Sequence, residues 1–321
     1  MVPVFVSTKQ GLPVFGLKAN DFALTDNGAA QPLTLEEDTD AQPLALTIVV
    51  ETGGAGATHL QDYQTLDSIV DALVGNVERR IAVIAFDGKS HLVLPFSSKT
   101  DDASTALANL AAGDHGAAIL DAVSYAVAQL EQQPAAYRRA ILLLSETIDQ
   151  GSETTLNDVL HRICDTNTAI YAFAFSSTRS AVSHEASKVS SQVPGPAHGC
   201  FSHTGADPEF EGHYNKQVLD CISQLAPPLR LATMTFLAAR NGLRTNAAQS
   251  LAQLTGGEFR RFDDAADLKK GLIALSNNIP NYYLLSFAPA NPTPGLHALQ
   301  VTAKDHVQLV TRSRQAYWVK E

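Results

Sequence analysis

The sequence predicts an α/β protein: a doubly wound, mostly parallel sheet with one antiparallel edge strand, and beside it a small β-sandwich built from both chain termini. Three observations carry this expectation. Between Leu44 and Ile279 strand-like and helical stretches alternate, and repeated β/α alternation means a mostly parallel sheet covered by helices on both faces. The run from Leu44 to Glu51 is apolar or β-branched at seven of its eight positions, the composition of a strand buried on both faces. Before residue 40 and after residue 280 the pattern is β alone, in segments too short to bury an apolar face unaided.

In chain order, β segments are expected at Val4–Ser7, Asp21–Thr25 and Gln31–Glu36. Asn27-Gly28 marks a hairpin, because the favoured two-residue turn needs positive φ at both positions. The polar linker Asp38–Pro43 sets a boundary near residue 40. It divides the sandwich, residues 1–40 and 280–321, from an α/β domain over 41–279. Strand Leu44–Glu51 leads to a helix over His59–Val74, whose Leu66, Ile69, Val70, Leu73 and Val74 share one face. Strand Arg80–Phe86 turns at Asp87-Gly88 into Ser90–Phe96, a connection so short that the pair must be antiparallel. Helices at Asp101–Leu110 and Ala117–Leu130 precede strand Ala140–Ser145, and helix Thr154–Cys164 precedes strand Ala169–Phe175. Helix Asn246–Leu254, ended by Thr255-Gly256-Gly257, leads to strand Glu258–Phe262, and helix Ala265–Ile279 closes the series. Strands at Tyr282–Phe287, Leu296–Lys304, Val307–Ser313 and Ala316–Val319 follow.

A chain of 321 residues with 45% hydrophobic and 17% charged composition can bury a large core. Its net charge of −10 and pI near 5.4 argue against nucleic acid or an anionic membrane surface as partner, since phosphate binding needs clustered Lys and Arg and no such run occurs. No apolar stretch approaches the roughly 20 residues of a membrane span, so membrane insertion is not expected. Met1–Val6 enters a strand-like run at once, the look of a chain cut at a domain edge with its targeting segment left out.

The loop Glu51-Thr52-Gly53-Gly54-Ala55-Gly56 leaves the carboxyl end of the central strand, the rim where open α/β sheets bind ligands. Its spacing fits neither the acidic, glycine-rich first loop of methyltransferases nor the Gly-x-Gly-x-x-Gly dinucleotide turn. The acid ending the next strand, Asp87, stands 87 − 51 = 36 positions on, against roughly 20 for a ribose contact. Phosphate-loop, Gly-x-Ser-x-Gly and His-Glu-x-x-His motifs are also missing from the sequence. The reading is therefore non-catalytic, with no cofactor; the alternative is an enzyme, a cofactor-binding transferase using the rim crevice.

The order β-α-β-β-α-α-β-α-β-α-β-α resembles the von Willebrand factor type A (vWA) domain. The pieces Lys9–Val14 with Leu17–Phe22, Leu251–Gly257 and Tyr282–Phe287 are similar to the "VWFA-related" proteins of acidobacteria, and the likeness covers nearly the whole chain except about residues 178–240. It implies a protein-interaction or adhesion module with an unidentified protein partner, secreted or held in the periplasm or cell envelope. It also implies a metal-ion-dependent adhesion site on the rim, with Asp-x-Ser-x-Ser after the first strand, a Thr before a later helix and an Asp after the fourth strand. Here the first Asp becomes Glu51, the two Ser become Gly53 and Ala55, the Thr becomes Ala117 and the last Asp becomes Glu146. Mg²⁺ wants near-octahedral oxygens at about 2.1 Å. With three hydroxyls gone and both carboxylates one methylene longer, the implied site is degenerate and holds no metal. Thr52, Asp114, His115 and Asp149 on neighbouring loops complete the candidate binding face; equally, all of these are ordinary strand-capping and loop residues. If Glu51 and Glu146 face one crevice, each should raise the other's pKa.

An insert over about 177–241 begins rich in Ser, Gly, Pro and His and then shows helical stretches around Asn215–Leu225 and Pro228–Ala239. Cys200 and Cys221 lie in it, whereas Cys164 falls on an expected buried helix face. The two insert cysteines are open to three readings: a disulfide in an oxidising compartment, a zinc site with His198, His203 and His213 whose spacing matches no ligand ladder, or free thiols.

Overall fold

The computed structural model describes residues 1–36, 42–64, 66–75, 77–175, 246–279, 282–289, 292–304 and 308–319. Four strands open the chain: β1 (Val2–Thr8), β2 (Phe22–Asp26), β3 (Ala29–Gln31) and β4 (Leu33–Glu36). The α/β part follows with β5 (Leu44–Glu51), α1 (Leu60–Tyr63), α2 (Asp67–Val74), β6 (Arg79–Phe86), β7 (Ser90–Ser97), α3 (Thr100–Ala108), α4 (Ile119–Glu131), β8 (Arg138–Ser145), α5 (Leu156–Thr166) and β9 (Ala169–Ala174). After the insert come α6 (246–255), β10 (Phe259–Arg261) and α7 (Ala265–Ser276). Strands β11 (Tyr283–Phe287), β12 (Gly295–Ala303), β13 (Leu309–Ser313) and β14 (Ala316–Val319) end it.

The central sheet runs β10-β9-β8-β5-β6-β7, parallel throughout except for β7. The expected doubly wound sheet with one reversed edge strand is thus present. Every residue of β5 is buried, and the pleat sends alternate side chains into two cores. Leu44, Leu46, Ile48 and Val50 join α2 and α7 residues such as Ile69, Leu73, Leu268 and Leu272. Ala45 and Val49 join Val123, Val127, Ile163 and Leu251 from α4, α5 and α6. Strand order reverses between β5 and β8, the position at whose carboxyl ends sheets of this class bind ligands.

At the amino ends of the strands, arginines donate to carbonyls in or just after the helix ends. Arg79 Nη1 donates to Gly75 O (2.8 Å) after α2. Arg138 Nη1 donates to Ile279 O (3.0 Å) after α7. Arg139 Nε reaches Leu130 O in α4, also at 3.0 Å.

The terminal strands form two four-stranded sheets, β13-β1-β11-β4 and β14-β12-β2-β3. Strand β1 lies between β11 and β13, and β2 pairs with β12, so both chain ends interleave. Val2, Val4, Val6, Phe22, Leu24, Leu285, Leu299 and Val301 make one apolar cluster between them. The seam with the α/β part is polar and close. Buried Glu258 pairs with Arg312 of β13 at 2.7 Å; burial pushes its carboxyl up, but Arg312 and Arg260 outweigh that and hold it below the usual range. Gln315 N donates to Leu254 O (3.0 Å). Gly256, at φ 77°, lets the β13 backbone approach so closely that a Cβ there would sit 2.4 Å from Arg314 N.

Two expectations need correction. The single strand over Gln31–Glu36 is two strands in different sheets, β3 against β2 and β4 against β11, because Pro32 between them lacks the N–H that would continue a ladder. The helix over His59–Val74 is broken: a 3₁₀ turn at Gly56–His59 runs into α1, and a turn from Tyr63 to Leu66 separates α1 from α2. That break keeps both Tyr63 and Leu66 inside the core. Most other boundaries shift by one or two residues; α5, for instance, is capped by Thr155 and ends at Asn167 in the left-handed conformation. The insert's expected helices lie outside the described residues.

Deleting residues 1–40 removes β1 from between β11 and β13 and bares their edges. The truncated protein should lose its cooperative thermal transition or aggregate in calorimetry. A truncation that melts cooperatively at the full-chain temperature would refute the dependence.

Candidate functional site

Four loops meet at the carboxyl ends of the central strands: residues 52–55 after β5, 87–89 after β6, 113–118 before α4 and 146–152 after β8. Glu51, the last residue of β5, is fully buried. Its Oε2 accepts the Glu146 backbone N–H at 2.7 Å, while its buried Oε1 has no partner among the described residues. Burial pushes the Glu51 carboxyl up to about 8; the Glu146 amide pulls it down, and the Glu146 charge pushes it further up. Tyr63 lies below with a buried hydroxyl that is likewise unpartnered among the described residues. Its phenol is raised well above the ordinary value by burial first and by Glu51 second. Glu146, also buried, accepts from Gln150 Nε2 at 2.5 Å.

The other loops are tied to one another by their own backbone and two aspartates. Thr52 donates its N–H and its hydroxyl to Phe86 O (2.8 and 3.2 Å). Gly54 N donates to Asp114 O (2.7 Å), and Gly113 N to Thr52 O (2.9 Å). Asp114 Oδ1 accepts the amides of Gly116 (2.6 Å) and Gly88 (3.0 Å), and these amides hold its carboxyl below the usual range. Asp87 accepts the amides of Lys89 (2.8 Å) and Asp114 (3.1 Å).

These ties leave no room beside Gly53, where a Cβ would stand 2.3 Å from Gly116 O and 2.7 Å from Asp87 Cβ. Ala117 is buried, and its carbonyl accepts Gln150 N at 2.8 Å. Ala55 packs on the core beneath the loop. His115 is exposed at the tip. Asp149 turns inward, its Oδ1 accepting Leu120 N (3.0 Å) at the start of α4 and the Ser152 hydroxyl (2.6 Å), which satisfies amides that a helix start leaves open.

Residues 48–149, which carry three of these four loops and open the fourth, match the family model of the von Willebrand factor type A domain. These residues form a vWA domain. The sequence matches no curated protein. Among solved structures the chain is similar to BatB, a conserved hypothetical protein from Bacteroides thetaiotaomicron, at 15% identity over 74% of this chain and 98% of that one, with TM-score 0.42. It is similar to a von Willebrand factor type A protein from Catenulispora acidiphila at 11% identity over 99% and 62%, with TM-score 0.46. It is also similar to proximal thread matrix protein 1 from the mussel byssus, with zinc occupied MIDAS motif, at 11% identity over 80% and 49%, with TM-score 0.43.

The vWA rim therefore draws Glu51, Thr52, Gly53, Asp114, Ala117 and Glu146 into one contiguous set, whereas the side chains of Ala55, His115 and Asp149 point elsewhere. Cys200, Cys221, His198, His203 and His213 lie outside the described residues. Cys164 is half-buried, its thiol pushed up by burial. Sequence reading missed the part played by Asp87, Gln150 and Tyr63. Asp87-Gly88 and Asp114-His115-Gly116 do share a signal, an Asp with Gly one or two residues on, the chemistry of a side chain closing on a nearby backbone amide. Nothing comparable marks Tyr63.

In the unfolded chain Glu51 releases its proton near 4.5, and the folded vWA domain holds it to about 8. The folded state binds more protons across that interval, so stability present at low pH is lost as pH rises through it. Glu51→Gln should flatten the decline and stabilise the protein at pH 8.5 by up to about 5 kcal/mol, measured by urea unfolding at both ends of the range. Parallel pH profiles for the two proteins would contradict this. Gly53→Ser should destabilise by about 2–3 kcal/mol through overpacking, read in the same assay; an unchanged midpoint would show that the loops yield.

Proposed function

We propose that this protein is a non-catalytic interaction or adhesion module of vWA type whose degenerate rim engages a protein partner without a divalent cation. The carrying observation is the space at Gly53. Where the family pattern sets a hydroxyl, the Gly116 carbonyl and Asp87 already stand within contact distance of any side-chain carbon. Ala55 and Ala117 offer no side-chain oxygen, Glu51 Oε2 is spent on a backbone amide, and among the described residues no three His, Cys, Asp or Glu side chains are grouped to hold an ion. A small hard cation dehydrates reluctantly and gains little from such a shell.

The residues present thus do not fit the family's metal. Support against the transferase alternative comes from shape. The rim is packed by its own backbone, and a cavity of about 290 Å³ lies at the other end of the sheet, lined by Leu44, Arg138, Ala169 and Phe5. The sequence resemblance supports reading the module as secreted or held in the periplasm or cell envelope, an oxidising setting in which Cys200 and Cys221 would pair. Among the described residues no helix is long and apolar enough to cross a membrane.

Calorimetric titration with Mg²⁺, Mn²⁺ and Ca²⁺ tests the reading. No saturable heat is expected, and EDTA should leave thermal stability unchanged. Saturable micromolar binding that Glu51→Ala abolishes would overturn it.

A further inference from the structure

We infer that the free end of the terminal sheets is a peripheral docking surface for an anionic lipid bilayer. The inference is independent of the rim. Residues 9–18 leave β1 in a loop that carries Leu12 and Phe15, 65% and 67% exposed. Among the described residues past Met1, the other exposed large apolar side chains (Leu92, Val93, Ile273 and Val310) reach no more than 47%. Isolated exposed apolar residues are ordinary, but two strongly exposed ones within four residues of a single loop call for an occupant.

The loop that presents them is held firmly. Val14 N donates to Val6 O, Thr8 N to Leu12 O and Gly11 N to Thr8 O, each at 2.9 Å. The Tyr283 hydroxyl donates to Val14 O (2.9 Å) and accepts Leu17 N (3.2 Å). Gly11 and Gly16, at φ 86° and 80°, reverse the chain on either side of the tip. Leu12 and Phe15 are therefore aimed outward from a fixed backbone, which lowers the ordering cost of inserting them. Val310, paired with Ser7 on the adjacent strand, adds apolar surface at the same end.

Three exposed lysines surround this tip. Lys9 and Lys18 bracket the loop, and Lys304 is brought beside it because its amide donates to Asp21 O (2.7 Å) while the Asp21 amide donates to Lys18 O (2.9 Å). None of the three forms an ion pair with a described residue. The nearby Asp21 carboxylate is turned onto the Lys18 amide (2.7 Å). This end is locally basic in a chain whose net charge is −10. At physiological salt charge beyond about 8 Å is largely screened, so a docked bilayer feels mainly these three lysines and Asp21, a balance that stays positive. The sequence shows no basic run because positions 9, 18 and 304 meet only in the fold. An exposed leucine and phenylalanine on a loop bracketed by ammonium groups fit acyl chains beneath anionic headgroups.

Flotation of the full chain with phosphatidylglycerol/phosphatidylcholine vesicles, and with pure phosphatidylcholine vesicles, tests this. Binding to the anionic vesicles is expected, weaker by about tenfold or more on the neutral ones, and falling as salt rises from about 0.1 M to about 0.5 M. Leu12→Ser with Phe15→Ser, and separately Lys9→Glu, Lys18→Glu and Lys304→Glu together, should each lower binding by a similar factor. Thermal midpoints should stay unchanged, because all five side chains are exposed. Equal binding to both vesicles, binding that survives either set of changes, or no flotation with either vesicle would overturn the proposal; the last outcome would leave the tip to a protein partner.

Discussion

Strand β5 is buried at all eight of its positions, and most of the architecture follows from that. A strand with neighbours on both edges and apolar side chains on both faces needs a helical layer on each side. Parallel strands need crossover connections, and the helices of those crossovers supply both layers. The two cores on either side of β5 draw on the same strand's alternate residues. The burial of this strand also reaches its end. Because Phe86 and Leu144 of the flanking strands enclose the carboxyl terminus of β5, Glu51 is carried into an environment that favours its neutral form.

That fate of Glu51 explains how the rim is organised. One carboxyl oxygen of Glu51 sits on the Glu146 amide, and the other has no partner among the described residues. The carboxyl group ties the end of β5 to the start of the loop after β8. The remaining loops are joined by Asp87 and Asp114, whose oxygens receive amides from residues 88, 89, 114 and 116. Glycine at 53, 113 and 116 permits contacts that any Cβ would prevent. The rim is thus cross-linked by carboxylates reading backbone amides.

The sheet was legible in the sequence wherever one local pattern decided it. The apolar run of β5, the Asp87-Gly88 turn and the Gly256-Gly257 stop each act within a few residues. Pro32 was visible too, but its consequence, a strand crossing from one sheet to another, depends on where β2 and β11 lie. The rim's carboxylates were found by position at the ends of strands. Their partners were not, because Gly53 meets Gly116 and Asp87 across more than thirty residues of intervening chain. The lysines at 9, 18 and 304 escaped for the same reason: charge clusters made by topology leave no run to read. The insert's cysteines and histidines lie where the described structure ends, and their chemistry stays with the sequence.

The placement of the two surfaces follows from which strand ends touch. The terminal sheets contact the α/β part through Pro3 and Phe5 near the start of β1 and through Ser313, Arg314 and Gln315 at the end of β13. These meet the amino ends of β5, β8 and β9, where Leu44, Arg138 and Ala169 stand. The vWA rim is at the carboxyl ends of the same strands, and the Leu12–Phe15 tip follows the far end of β1, opposite Leu309 at the start of β13. Rim and tip therefore lie on opposite sides of the seam. A bilayer engaged by the tip, as inferred above, would leave the rim loops clear of its headgroups. The ion pair of Glu258 with Arg312 and the close pass at Gly256 join the terminal sheets to the part of the molecule that carries the rim.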